Sequence, residues 1–142
     1  MASAEPIGVH ECAACGMVVR EQPAPRAQVV HRDGTREYFC SLSDLLQYVK
    51  TPSSHGAIAQ VFVELLDPAA DPTQISPEAR PWALAEGAHF VVGVARPGIM
   101  GATVLTYATA AEATAAAKKP GGKVKSWAEL QAMPQLTPPW ER

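Results

Sequence analysis

A stretch rich in Pro, Asp, Ser and Thr, residues 67–81, divides the chain into two parts with the same plan. Each part predicts short strands and a helix that begins with a hydroxyl residue followed three positions later by an acid. This pair is Ser41 with Asp44 in the first part and Thr109 with Glu112 in the second. The repeat predicts an α+β fold: two ββαβ-like units in tandem, small antiparallel sheets each packed with a helix.

The strands of both units are predicted from short apolar runs bounded by turn residues. Residues 27–31 and 36–39 flank the dipeptide Asp33-Gly34, which favours positive φ at a hairpin turn. Residues 16–19 are a further strand candidate, and residues 59–65 predict a buried strand after the first helix. The second unit predicts strands at residues 89–95, 103–107 and 123–125, a helix that ends near residue 118, and a third capping box at residues 126–129.

Domain boundaries follow from this order of elements. We expect a flexible N-terminal arm at residues 1–9, a first unit at residues 10–66, the linker at 67–81, a second unit at 82–133 and a C-terminal tail at 134–142. Hydrophobic residues make up 47% of the 142 positions. A chain of this length can bury roughly two thirds of its unfolded surface, so it needs no disulfides to fold.

The charge balance limits the kinds of binding partner that we expect. A net charge of −2 offers no basic stripe for nucleic acid, so we expect no nucleic-acid partner. No apolar run approaches the about 20 residues that a membrane helix needs. The N-terminus lacks a charged region followed by an apolar one, so no leader is predicted in this sequence.

The three cysteines, Cys12, Cys15 and Cys40, are an odd number, which predicts at least one thiol kept for chemistry or metal. Cys12 and Cys15 form a C-x-x-C, which suits a local disulfide, a redox pair or half of a metal site. Met17 follows Cys15 by two residues, and in extended backbone such side chains project to one face. A thiolate and a thioether suit Cu(I), whereas a Met17 that fills core space is the alternative.

A second group of candidate ligands surrounds the first predicted helix start. Cys40 lies where exposed backbone N–H groups and the helix dipole favour a thiolate. Asp44 stands where treble-clef-like metal modules carry a fourth cysteine, so Cys12, Cys15, Cys40 and Asp44 could hold zinc. The alternatives are that Asp44 is only the capping partner of Ser41, and that Cys40 is a buried core residue.

Met100 and His10 are two further candidates. Met100 lies in a loop between glycines and outside any helical stripe, so it is a candidate soft ligand from the second unit. His10 precedes Cys12 by two residues and could add an imidazole, although a solvated side chain is the alternative. We expect the remaining histidines to be structural. The chain has no G-x-S-x-G, P-loop, H-E-x-x-H or dinucleotide fingerprint, so the sequence does not predict an enzyme.

Taken in order, these residues resemble the NosL family of copper chaperones for nitrous-oxide reductase maturation. The resemblance spans residues 10–130 and rests on Cys15-Gly16-Met17, Tyr38-Phe39, Ser41, Asp44, His89-Phe90, Met100-Gly101 and Gly121-Gly122-Lys123-Val124. It implies a periplasmic protein of denitrification, lipid-anchored to the membrane in its full-length precursor, that binds one Cu(I). The ligands carried over from the family are Cys15 and Met17, with Met100 as the third.

The resemblance also implies a partner. Copper would pass to the copper-sulfide centre of nitrous-oxide reductase, or to a related cuproenzyme, through an ABC-type membrane complex. The family's lipobox cysteine is absent here, and Cys12 and Cys40 are not constant features of the family, so this member could bind copper differently. We expect a monomer or a weak dimer.

Three hypotheses follow. The first is a Cu(I) chaperone, in which two or three soft ligands at a surface edge leave a position open for exchange and His10 is the displaceable ligand. The second is a zinc-binding structural or regulatory module that uses Cys12, Cys15, Cys40 and Asp44. The third is a thiol enzyme, which lacks the βαβ context of a thioredoxin-like motif.

Overall fold

The computed structural model describes residues 4–5, 8, 10–13, 16–22, 25–50, 55–69, 80–94, 104–118 and 122–132. Within these ranges the chain forms two antiparallel sheets with helices, which confirms the predicted α+β class. The elements are β1 (Ala27–His31), β2 (Arg36–Phe39), α1 (Leu42–Val49), β3 (Ile58–Glu64), β4 (Trp82–Leu84), β5 (His89–Val92), β6 (Val104–Tyr107), α2 (Ala110–Ala117), β7 (Lys123–Lys125) and α3 (Trp127–Ala132).

The first sheet has the strand order β2-β1-β3-β4, and every neighbouring pair is antiparallel. The predicted hairpin between β1 and β2 is confirmed, with Ala27 opposite Phe39 at its open end. Gly34 takes a φ of 91° in the turn, a value that residues with a Cβ rarely adopt. The side chain of Asp33 accepts a hydrogen bond from the backbone N–H of Thr35 at 2.8 Å, which closes the turn.

The second sheet has the order β6-β5-β7. The strand that follows the predicted linker, β4, pairs with β3 and therefore belongs to the first sheet. The edge of β3 offers unpaired backbone groups, and β4 satisfies them. The second sheet thus begins at His89, seven residues beyond the start predicted for the second unit, and the unit boundaries themselves stay a prediction.

The three predicted helix starts are confirmed, and each places a hydroxyl oxygen on a backbone N–H of the first turn. The Oγ or Oγ1 atoms of Ser41, Thr109 and Ser126 accept hydrogen bonds from the N–H groups of Asp44, Glu112 and Glu129, each at 3.2 Å. Only the last pair is shown as reciprocal: the Ser126 N–H donates to Glu129 Oε1 at 2.9 Å. Local spacing therefore determines where these helices begin.

The two sheets share one main core. Side chains alternate across β5, so Phe90 and Val92 pack with the first sheet, α1 and α3, whereas Val91 faces α2. Phe90 lies 5.8 Å, between ring centroids, from Trp127 of α3. The second sheet is thus covered on both faces, by α2 on one side and by the first half of the chain on the other.

The strand predicted at residues 16–19 is wrong. Val18 makes only an isolated bridge with Glu11, and Val19–Glu21 forms a 3-10 turn. The chain curls around the guanidinium of Arg26, which Glu64, 38 residues away in sequence, holds in place. Arg26 Nη1 donates hydrogen bonds to the carbonyl oxygens of Arg20 and Gln22, at 3.0 and 3.1 Å, and these carbonyls face the guanidinium only if the chain curls.

The N-terminal arm has one described anchor. Although residues 1–9 were expected to be flexible, the Glu5 N–H donates to Gln28 Oε1 at 3.0 Å, and Gln28 Nε2 donates to the Glu5 carbonyl at 2.8 Å. The carboxylate of Glu5 also lies 3.5 Å from Arg36 Nε. In the part of the chain that the structure describes, no helix has the length and apolar character to cross a membrane.

Candidate metal centre

Cys12, Cys40 and Asp44 converge at one point of the structure. One ligand atom from each of the three residues lies within 4.8 Å of the other two. Asp44 Oδ2 is the centre of the group, 3.2 Å from Cys40 Sγ and 3.6 Å from Cys12 Sγ, and both thiols donate to it. The backbone N–H of Cys40 donates in turn to Cys12 Sγ at 3.3 Å. Three of the four residues of the predicted zinc set therefore meet.

Backbone pairing brings Cys12 to this point. Cys12 forms a parallel bridge with Tyr38 of β2, and the N–H of Ala13 donates to the Tyr38 carbonyl at 2.9 Å. Glu11 bridges Val18 on the other side. The short segment around Cys12 is thus an extra strand-like edge beside the hairpin, and its thiol is buried, with 3% exposure.

The start of α1 positions the other two donors. Cys40 directly precedes the cap residue Ser41, and Asp44 is the third residue of the helix. The Asp44 backbone N–H is bound by Ser41 Oγ, while the Asp44 carboxylate is turned toward the sulfur atoms. The two interpretations of Asp44 are therefore compatible: its backbone completes the cap, and its side chain remains available as a ligand.

Backbone hydrogen bonds join Cys12 to the end of the C-x-x-C-G-M motif next to this cluster. The Cys12 N–H donates to the Met17 carbonyl at 2.7 Å, and the Gly16 N–H donates to the Cys12 carbonyl at 2.8 Å. Gly16 has a φ of 77°, which favours glycine at this position. The Met17 side chain is 51% exposed, which excludes the alternative that it fills the core. Cys15 lies outside the described residues, so its pairing with Met17 stays a prediction.

His10 takes a different position from the two thiols. Its ring stacks on that of Tyr38, with centroids 3.9 Å apart and planes 9° from parallel. Its nitrogen atoms are not among the ligand atoms that converge on Asp44. Burial, and then the negative charge of Glu5, raise the pKa of Tyr38 above its ordinary value, so the hydroxyl remains a proton donor, here to Glu5 Oε2 at 3.4 Å.

Five of the seven predicted ligands are therefore described, and three of them meet. Met100, like Cys15, lies outside the described residues, so the predicted third copper ligand stays a prediction.

His31 has a structural position. It is buried between Tyr48 and Gly56, with ring nitrogens 2.6 Å from the Tyr48 hydroxyl and 3.0 Å from the Gly56 carbonyl. A groove of about 710 Å³ beside His31 is lined by none of the candidate ligands, so the site is better located by donor chemistry than by cavity size.

A buried ion pair supports the site and was missed in the sequence. Arg26 and Glu64 are each 1% exposed, and the Glu64 carboxylate accepts from Arg26 Nε at 2.6 Å and from Nη2 at 3.0 Å. This forked contact holds the 3-10 turn that follows Met17 against the end of β3. The one available signal is Glu64 itself, an acid inside the apolar run of residues 61–66.

Comparisons with known proteins give one family. The NosL family model matches residues 5–133. The copper-binding lipoprotein NosL of Stutzerimonas stutzeri is 31% identical over 131 residues, 90% of this chain and 67% of that protein. The copper-binding lipoprotein NosL of Achromobacter cycloclastes is 31% identical over 126 residues, 87% of this chain and 65% of that protein. The chain thus spans about two thirds of the length of these relatives.

Two solved structures have the same architecture. The crystal structure of the copper chaperone NosL from Shewanella denitrificans superposes with a TM-score of 0.72 at 29% identity, over 89% of this chain and 94% of that one. The solution structure of apo-NosL from Achromobacter cycloclastes gives a TM-score of 0.53 at 25% identity, over 72% and 82% of the two chains. Sequence and structure agree on the resemblance seen in the motifs: this chain belongs to the NosL family.

Proposed function

We propose that this protein is a chaperone that binds one Cu(I) and hands it to a cuproenzyme. The relatives are named as copper-binding lipoproteins and a copper chaperone, which supports copper as the cargo. The observation that carries the proposal is the exposure of Met17, a residue 51% accessible to solvent whose backbone carbonyl accepts a hydrogen bond from the N–H of the buried Cys12. A soft sulfur donor at the surface is suited to a soft ion that a partner protein must reach.

The proposed ligands are Cys15 and Met17, with Met100 as the third and His10 as the displaceable one. Thiolate and thioether sulfur hold Cu(I) against water, which is a hard donor. Because Met17 is exposed, a partner protein can approach the ion and supply its own ligand before the first bonds break. Exchange between two soft sites then moves copper without releasing it to solvent.

The setting is proposed from the named relatives. Since these are lipoproteins, we propose that the full-length precursor carries a lipid anchor and works in the periplasm. The receiving protein is nitrous-oxide reductase, at its copper-sulfide centre, or a related periplasmic cuproenzyme, reached through an ABC-type assembly complex. The protein would act on copper as cargo, as a monomer or weak dimer and without catalysis of its own.

Cu(I) titration under anaerobic, reducing conditions against a coloured chelator tests this proposal. The native chain is expected to bind one Cu(I), and Cys15→Ser and Met17→Leu to weaken binding sharply, since Leu preserves the size of Met but lacks the sulfur. Leu84→Ala, at an exposed apolar residue of β4, is the matched control and should leave the affinity unchanged. Unchanged affinity in both ligand variants would refute the copper site.

The alternative is the zinc-binding structural or regulatory module, and the convergence of Cys12, Cys40 and Asp44 favours it. The two functions differ in what metal removal does, because a structural zinc ion contributes folding free energy directly. Thermal melts of chelator-treated and metal-loaded protein separate them. A chaperone stays folded with a cooperative transition when metal-free, whereas a structural module loses it.

A further inference from the structure

The distances from Asp44 Oδ2 to Cys12 Sγ and to Cys40 Sγ match those between neighbouring ligands of one tetrahedral ion. With metal–sulfur bonds of about 2.3 Å and metal–oxygen bonds of about 2.0–2.2 Å, neighbouring sulfur and oxygen ligands lie about 3.5 Å apart. The two sulfur–oxygen distances here are 3.2 and 3.6 Å. The two sulfur atoms lie within 4.8 Å of each other, and two thiolate ligands of one tetrahedral ion lie about 3.8 Å apart, so binding requires the thiols to close by at most about 1 Å.

The donor set favours a divalent ion over Cu(I). A carboxylate oxygen is a hard donor that zinc sites accept beside thiolates, whereas Cu(I) selects sulfur. Once both thiols are deprotonated, three negative groups lie within 4.8 Å of one another, and a divalent cation offsets their repulsion better than a monovalent one. Binding replaces the two thiol protons, which pass to solvent.

We propose that Cys12, Cys40 and Asp44 form a second metal site, which takes a divalent ion of the zinc class independently of the copper ligands. It needs neither Cys15 nor Met17, and it does not rest on the copper proposal. Cys12 is buried while Cys40 and Asp44 are half-buried, so solvent reaches the cluster through Cys40 and Asp44. The ion would join the segment that carries the C-x-x-C-G-M motif to the start of α1.

Titration of the metal-free full chain with Co²⁺, under anaerobic conditions with a phosphine reductant, tests the proposal. Cobalt in a tetrahedral thiolate site gives visible bands and a near-ultraviolet sulfur-to-metal absorption, and we expect one equivalent that Zn²⁺ displaces. Cys40→Ser removes a direct ligand of the ion. Loss of a residue that only supports a ligand already lowers metal affinity by about 10–100-fold, so this variant should lower the Co²⁺ affinity by about 100-fold or more. Cys40→Ser should also reduce the sulfur-to-metal absorption to roughly half, because one of two thiolates is lost.

Asp44→Asn is a second ligand variant, which tests the same site if Cys40→Ser folds poorly. This variant retains the backbone N–H that Ser41 Oγ binds, so the cap of α1 is preserved while the carboxylate charge is removed. It should weaken Co²⁺ binding with an unchanged circular dichroism spectrum.

The control variants separate this site from the copper site. Cys15→Ser and Met17→Leu should leave Co²⁺ binding unchanged, and Zn²⁺-loaded protein should still take up one Cu(I). Two results would overturn the inference: absence of the sulfur-to-cobalt absorption in the native chain, or its loss in Cys15→Ser, which would indicate a four-ligand site instead. Neither result bears on whether Met17 binds copper.

Discussion

The two halves of the molecule build the same strand–cap–helix connection with different chemical content. In both, an eight-residue helix follows a strand of the sheet and begins at a hydroxyl that accepts a 3.2 Å hydrogen bond. The residue before the cap is Cys40 in the first half and Ala108 in the second. The first turn of the helix carries Asp44 in the first half and Glu112 in the second. The carboxylate of Asp44 accepts hydrogen bonds from two thiols. The shared geometry is thus a structural frame, and the thiols and carboxylate are an addition to one copy.

The halves also differ in what they bury. Among the described residues, the buried polar and charged side chains Arg26, Gln28, His31 and Glu64 belong to the first sheet or its flanks, and Thr106 is their counterpart in the second. The cluster under α2 is apolar, and the helix itself contributes alanines to it. Polar contacts specify the half that carries the candidate metal centre, whereas apolar packing suffices for the other.

The largest effect is expected from the buried ion pair. Glu64→Gln removes the carboxylate charge from beside the Arg26 guanidinium, which is 1% exposed. The free energy of unfolding should fall by about 3–5 kcal/mol, measured by urea denaturation. The exposed Glu86→Gln is the matched control and should change it by no more than about 0.5 kcal/mol. A loss as small as the control's would show that the pair is not a distinguishing feature of the first half.

The two helices provide the next comparison. Leu45 of α1 and Ala113 of α2 are both fully buried, at 0% exposure. Leu45→Ala should lower the free energy of unfolding by about 2–5 kcal/mol, because it leaves a cavity. Ala113→Gly removes one methyl group from a helix interior and should cost about 1 kcal/mol, chiefly through backbone entropy. Equal losses in urea denaturation would mean that α2 contributes more packing than its alanines indicate.

The smallest effect concerns the caps themselves. Ser41→Ala and Thr109→Ala each remove one side-chain acceptor at an equivalent position. Each should lower the free energy of unfolding by about 1 kcal/mol in metal-free protein. A clearly larger loss in Ser41→Ala would show that the first cap also holds the thiol cluster together, which would make the two connections unequal.

Much of the fold was predictable because it depends on short-range chemistry. The hairpin of β1 and β2 and the starts of all three α-helices follow from residues one to four positions apart. The errors have a common cause in β3, which is distant in sequence from both segments: its Glu64 fixes the Arg26 side chain, and its edge pairs with β4. The strand expected at residues 16–19 curls because Arg26 binds the carbonyls of the next turn, and β4 joins the first sheet because β3 offers an edge.

The candidate site divides in the same way. The sequence alone determined which sulfur, imidazole and carboxylate groups were available, and where the helix that carries Asp44 begins. Only the tertiary structure decided that Cys12 and Cys40, 28 residues apart, meet at Asp44. The physical reason is that their approach depends on backbone hydrogen bonds between the Cys12 segment and β2, which exist only once the sheet has formed.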